Sequence, residues 1–322
     1  MAKLRFGEFK NTRVRISLTA GYAFANALIF YPSLKINSGD AEGDYTMADI
    51  PEYEVYAIKY GHHDRMRQDN FIFKDPHDEA TTIDFYVWVI TGGGRTFVVD
   101  VGFEAKEAKA RDRKLLRLPS EAVRLVGVDP ATVEDIIITH LHYDHCGDIS
   151  PFPNARFHLQ ESEMNYATGK SMTHQPLRHA YNVDYVVNFV RAVYDDRVNF
   201  VDGVSELAPG VFVHHIGGHT AGIQSVRVWT RKGWLALASD ATHFYDNMAI
   251  PNPFPIVCHV GHMLDGYDTL RDMAGGDVHR VIPGHDPQVM NLFPAASKEL
   301  EGIAVRLDAD PIGDLSKVWR QS

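Results

Sequence analysis

The chain has 322 residues, with 32 Lys+Arg against 42 Asp+Glu, a net charge of −10 and an apolar fraction of 45%. This is an ordinary globular composition with enough apolar residues for a sizeable core, and its negative charge opposes a phosphate-backbone partner. Two Cys exclude a disulfide scaffold and a four-Cys zinc site, whereas 17 His is an excess of the commonest metal-ligating side chain.

Lys3, Arg5, Lys10, Arg13 and Arg15 precede a mildly apolar run over residues 16–31, which Ser17, Thr19 and Gly21 interrupt and Pro32 ends. Residues 1–52 read as an N-terminal extension and 53–322 as a single domain. The chain is expected to be cytoplasmic; an N-terminal signal, giving a secreted or periplasmic protein, is the alternative. No stretch approaches the ~20 apolar residues of a membrane span, so no membrane partner is expected.

Residues 53–60 alternate as a strand. A buried strand over 85–90, a Gly92-Gly93-Gly94 turn and a strand over 96–100 form a hairpin. Residues 104–127 are helical, with Pro119-Ser120 breaking or restarting the helix. A short buried strand over 136–138 runs straight into Thr139-His140. Val183, Val186, Val187, Val190 and Val193 recur at helical spacing. Strands follow at 211–216, 224–229 and 234–238, then a helix at 263–274 and a strand at 278–282. Strands in runs with helices between the groups predict an α+β sheet sandwich flanked by helices, not a doubly wound parallel sheet.

The decisive segment is His140-Leu141-His142-Tyr143-Asp144-His145, where the chain leaves the 136–138 strand. Alternation puts His140 and His142 on one side of an extended chain. A turn after them would let Asp144 and His145 serve a second metal. Nitrogen and oxygen donors without thiolate suit Zn²⁺, with Fe²⁺ or Mn²⁺ as alternatives. Cys146 follows directly and reads as a buried neighbour.

These residues resemble the HxHxDH signature of the metallo-β-lactamase superfamily, and the resemblance spans roughly residues 84–290. Val99-Asp100-Val101-Gly102, Gly218-His219-Thr220-Ala221-Gly222, Ser239-Asp240-Ala241 and Pro283-Gly284-His285-Asp286 match its other elements in order and spacing. The resemblance implies a four-layer αββα sandwich with two divalent metals at one edge. His140, His142 and His219 would hold one ion, Asp144, His145 and His285 the other, with Asp240 bridging and Asp100 and Asp286 behind the ligands. It further implies a possible homodimer.

Asp240 in place of a Cys departs from the zinc β-lactamase pattern, and the absence of a basic patch argues against a nuclease. The chain is most similar to the N-acyl homoserine lactonase group, which includes pyridoxolactonase. The expected reaction is opening of a lactone or related cyclic ester by a metal-bridging hydroxide, in a quorum-quenching or catabolic setting. Asp144 or Asp240 would orient that hydroxide. Alternatives are a glyoxalase II-like thioesterase or cyclic amide hydrolase, and then a non-hydrolytic diiron redox protein. Where the group carries a Tyr three residues after the bridging Asp, this chain has His243. His243 is the preferred donor at the substrate, with Tyr245 the alternative. Segments 59–80 and 160–182 read as inserted loops whose Phe71, Phe73, His77, Tyr166, His174 and Tyr181 would wall the pocket.

Overall fold

The computed structural model describes residues 50–74 and 78–314. The anticipated N-terminal extension up to residue 49, with its targeting alternatives, and His77 lie outside the described residues. In chain order the strands and helices are β1 (Glu54–Met66), β2 (Ala80–Gly92), β3 (Arg95–Val99), α1 (Ala105–Ala110), β4 (Lys114–Leu115), α2 (Pro119–Arg124), β5 (Asp135–Ile137) and β6 (Arg156–Gln160). Next come α3 (Glu161–Thr168), α4 (Gln175–Arg178), α5 (Val183–Tyr194), β7 (Val198–Val201), β8 (Val204–Ala208), β9 (Val211–His215), β10 (Gln224–Thr230) and β11 (Gly233–Ser239). The last are α6 (Tyr245–Ala249), α7 (Val260–Met273), β12 (Val281–Pro283), α8 (Gln288–Leu292) and β13 (Ala304–Arg306).

The strands make two sheets. One runs β13-β1-β2-β3-β5-β6-β7, with β4 on β1; the other runs β12-β11-β10-β9-β8. The two-residue side-chain period of a strand lets each sheet feed two cores at once. In β2, Ile83, Phe85, Val87 and Val89 face one core while Tyr86, Trp88 and Ile90 face the other. The second of these lies between the sheets, where Trp88, Ile90 and Val99 meet Val213, Val226, Val228 and Leu237. On the outer face of the first sheet, Ile136, Val98 and Val87 pack with Ala122 and Val123 of α2 and Tyr185, Val186 and Phe189 of α5. On the outer face of the second, Ala236 and Ala238 pack with Met263, Tyr267 and Leu270 of α7. The result is the expected αββα layering.

Each sheet mixes pairing senses. β3, β5, β6 and β7 run parallel, as do β11 and β12, while the remaining pairs are antiparallel. Parallel neighbours release their loops at the same end, and this places the segments after β3, β5, β11 and β12 together.

Three local expectations are corrected. Residues 59–80 are a loop only over 67–79. β1 runs on to Met66 and β2 begins at Ala80, paired down to Met66↔Ala80 past an irregularity between Lys59 and Gly61. Residues 104–127 are two short helices with β4 between them. Asp112 takes a positive φ of 54° there, and Leu118 is extended before Pro119, which opens α2 at its first turn. Residues 278–280 form a 3₁₀ turn before β12. Among the described residues, no helix is long and apolar enough to cross a membrane.

Candidate functional site

The segment after β5 carries His140, His142, Asp144 and His145, and the loop between β9 and β10 carries His219. Asp240 follows β11 and His285 follows β12. All seven are buried at the junction of the two sheets. Thr139 ties the sheets there, its hydroxyl 2.9 Å from both Asp100 Oδ2 and Ser239 Oγ. Asp100 (φ 62°) and Ser239 (φ 49°) are both left-handed non-glycine residues at strand ends, a backbone strain that recurs where function demands a fixed side-chain direction.

The imidazoles are aimed by their outer nitrogens. His145 Nδ1 lies 2.7 Å from Asp100 Oδ2, His219 Nδ1 lies 2.7 Å from the Ile256 carbonyl, and His285 Nδ1 lies 2.9 Å from the Asp84 carbonyl. Each acceptor requires the proton on Nδ1, which turns the Nε2 lone pair inward. The Nε2 atoms of His140 and His145 are buried without a hydrogen-bond partner. His142 Nδ1 and His219 Nε2 approach to 2.9 Å.

Asp240 divides this set in two. Its Oδ2 lies 3.1 Å from His219 Nε2 and 3.7 Å from His140 Nε2, while its Oδ1 lies 2.8 Å from His285 Nε2 and 3.2 Å from His145 Nε2. Asp144 faces the second group, 3.8 Å from both His145 Nε2 and His285 Nε2. His140, His142, His219 and Asp240 thus form one set of converging donors that could hold a cation, and Asp144, His145 and His285 another. Buried lone pairs directed at one another are stabilised by a cation at their focus, so the donor chemistry fits two ions. Burial and the neighbouring imidazoles hold the His140 and His142 pKa well below the ordinary value, which keeps both rings in the ligating form.

His243 and Tyr245 part company. His243 lines the cavity over the donors, its Nε2 3.0 Å from Asp240 Oδ2 and its ring stacked on Phe254 at 3.8 Å. Burial pushes its pKa down to about 3, so the ring is neutral. It also converges with Asp240 and His285 as a third possible donor group. Tyr245 instead opens α6 with its side chain buried in the core between the sheets, while Asp286 Oδ2 accepts its backbone N–H at 3.0 Å. Tyr245 as a substrate donor is therefore corrected. Asp286 works at one remove, joining this segment to α8 through the Gln288 N–H.

Of the anticipated pocket walls, Tyr181 packs edge-on against His142 at 4.6 Å. Phe71 lines an adjoining groove. Tyr166 is half-buried against Tyr181, 6.3 Å away. Phe73 is 74% exposed and His174 is exposed, and neither lines the cavity or the groove. The cavity, about 100 Å³, is instead lined by His63, Arg65, Arg113, Tyr143, Phe254 and Ile256 among others. Of these, Tyr143 lies within the His140–His145 segment and His63 and Arg65 lie within 59–80, whereas Arg113, Phe254 and Ile256 have no local motif that would mark them.

Sequence reasoning also missed Glu163. Its carboxylate is fully buried and accepts from the Leu141 N–H (3.0 Å), Tyr181 hydroxyl (3.0 Å), Thr220 hydroxyl (2.6 Å) and Gly222 N–H (3.1 Å). It thereby clamps the His140–His142 segment to the His219 loop. A Cβ at Gly222 would lie 2.1 Å from the Glu163 backbone N, so only glycine permits this approach.

An αββα sandwich with clustered His and Asp donors at the sheet junction defines a metal-dependent hydrolase class. The chain belongs to the metallo-beta-lactamase superfamily, whose sequence profile matches residues 86–285. It is 45% identical over 192 residues to the N-acyl homoserine lactonase AttM of Agrobacterium fabrum, covering 55% of this chain and 66% of that one. It is 29% identical over 133 residues to an N-acyl homoserine lactonase of a Bacillus species, covering 41% and 48%. The chain thus spans about half to two thirds of the length of the curated relatives it matches. In structure it resembles an N-acyl homoserine lactone hydrolase with N-hexanoyl-L-homoserine bound at its catalytic metal centre. The TM-score is 0.62 at 20% identity, over 74% of this chain and 95% of that one. AidC, a dizinc quorum-quenching lactonase, gives a TM-score of 0.57 at 15% identity, over 74% and 89%.

Proposed function

We propose that this protein is a dinuclear-metal hydrolase that opens a lactone ring. The observation that carries the reading is Asp240, whose two carboxylate oxygens each face a separate set of inward-directed imidazoles. The likeness to N-acyl homoserine lactonases supports the substrate class. His140, His142 and His219 would hold one ion and Asp144, His145 and His285 the other, with Asp240 shared. Zinc is the proposed metal, from the donor types and the dizinc neighbour. Two such ions supply a hydroxide nucleophile near neutral pH and polarise the scissile carbonyl.

The chain's own residues do the rest. Asp100, the Ile256 carbonyl and the Asp84 carbonyl fix the tautomers of His145, His219 and His285. Neutral His243 steadies Asp240 through Nε2 and lines the cavity beside the donors, where it would meet the ring end of the substrate. Phe254, Ile256, Ile83 and Phe85 give the cavity apolar walls that exclude water. The partner is a small molecule, and a homodimer and a cytoplasmic location are proposed with it.

Metal analysis with a panel of lactones and thioesters tests the reading. Two metal equivalents and lactone opening are expected. Asp240→Asn should lower metal content and reduce kcat/KM by about 10²-fold or more, the scale expected when a group that positions charge at the reaction centre is lost. Two metals with thioester but no lactone turnover would sink the lactone assignment, and full activity in Asp240→Asn would sink the site.

A further inference from the structure

The cavity over the metal donors carries positive charge that the reaction described above does not use. Arg65 from β1 and Arg113 from the turn before β4 both line it, beside His63. Phe254 and His243 stand between Arg65 and the donor set, and Arg113 stands against Tyr143. The Arg65 guanidinium lies over the Phe254 ring at 5.0 Å, and Phe254 is stacked on His243. Arg113 Nε donates to the Tyr143 hydroxyl at 3.0 Å, beside Asp144.

Neighbouring Arg111 shows what a structural arginine does here. It pairs with Glu107 and donates to the His179 and Tyr181 carbonyls, which occupies its whole fork. Arg65 and Arg113 have no carboxylate ion pair among the described residues. Arg65 donates to the Asp69 carbonyl through Nη2, and its Nε is buried without a partner. Arg113 spends Nε on Tyr143 and Nη1 on the Arg111 carbonyl, which leaves Nη2 available. Burial lowers the Arg65 pKa, the Asp69 charge opposes this, and the Arg113 charge lowers it further. Burial and then the same two arginines hold His63 below its usual value. Two like charges facing one cavity, in a chain of net charge −10, are an unfavourable arrangement that an anion between them relieves.

We propose that Arg65 and Arg113 form a subsite for a carboxylate carried by the substrate away from its lactone ring. The substrate class is thus an anionic lactone, not a neutral one. His63 and Arg65 also line the adjoining open groove of about 570 Å³, which offers Phe71, Ile72 and Pro255 to the chain linking ring and carboxylate. The inference rests on the lactone-hydrolase reading for its substrate, though the subsite can be probed without turnover.

The test compares a homoserine lactone whose N-acyl chain ends in a carboxylate with its methyl ester, on the metal-loaded protein. The acid should exceed the ester in kcat/KM by tenfold or more, mainly through KM. In Arg65→Gln/Arg113→Gln that ratio should fall toward one, and Arg113→Lys should restore it only in part, because a point charge lacks the fork. Calorimetry with the ring-opened acid and its distal monomethyl ester gives a second readout. Wild type should prefer the acid, and the double variant, shown folded by circular dichroism and equal in metal content, should not. Equal turnover of acid and ester by wild type overturns the subsite and leaves the lactonase reading standing. No turnover of either lactone removes the lactonase reading. Calorimetry then decides the subsite alone: a preference for the acid that survives in the double variant overturns it.

Discussion

At the scale of single residues, the site is held by partners that sequence spacing does not mark. His140, His142, Asp144 and His145 are legible because four donors crowd into six positions. His219, Asp240 and His285 are legible through short motifs at strand ends. Glu163 is not, since its four donors lie up to 59 residues away and nothing near it in sequence announces them. The Glu163→Gln variant makes the point testable. An amide nitrogen must face either the Leu141 or the Gly222 backbone N–H, donor against donor, and one buried donor loses its acceptor. The expected cost is about 2 kcal/mol of stability, with weaker metal binding because both ligand loops loosen. Chemical unfolding and metal titration measure the two effects. A stability loss with unchanged metal affinity would make Glu163 a packing residue only. Tyr245 is hard to place for a related reason: a residue two positions from His243 can point to the cavity or to the core, and its packing among strands far along the chain decides which.

At the scale of elements, strands with clear two-residue alternation were legible, and short or edge strands were not. β6, β7 and β8 escaped notice because their patterns are brief, although Asp202-Gly203 and Pro209-Gly210 bracket β8 with turn signals. The helix expected over 104–127 does restart at Pro119, but chain-local propensity is blind to β4, which exists only by pairing with β1. β9 offers a prediction of its own. Its His214 faces the outer side of the second sheet near Phe212, with Nε2 buried and unpartnered. Burial, helped by the Arg227 charge, pushes the His214 pKa down to about 4. The folded state therefore favours the neutral ring. Its contribution to stability is complete above the unfolded value near 6.5 and is lost as pH falls toward 4. At pH 5 the loss is about 2 kcal/mol. His214→Gln should reduce by that amount the stability difference between pH 7 and pH 5. An unchanged difference would show that another group titrates.

At the scale of the whole molecule, layer order follows from composition and pattern, whereas the junction of two sheets is a through-space fact. The fold brings four proposed donors from the first sheet against three from the second. Metal removal should therefore act on global stability. A ligand held a thousandfold above its Kd contributes about 4 kcal/mol, which at this size corresponds to roughly 6 °C in Tm. Calorimetric scans before and after chelation, with zinc added back, check this. A Tm unmoved by chelation would mean that the ions, if bound, bridge nothing structural.

The division of donors between the sheets also sets an order of events during synthesis. The stretch containing His140 to His145 leaves the ribosome well before His219 and Asp240, and His285 leaves last. No proposed donor group is complete within the first sheet's share, since one needs His219 and Asp240 and the other needs His285. A growing chain therefore meets cellular metal with an unfinished set, and firm capture waits until the second sheet has closed against the first. Metal retention would then report that the sandwich is assembled, a checkpoint built into the topology itself.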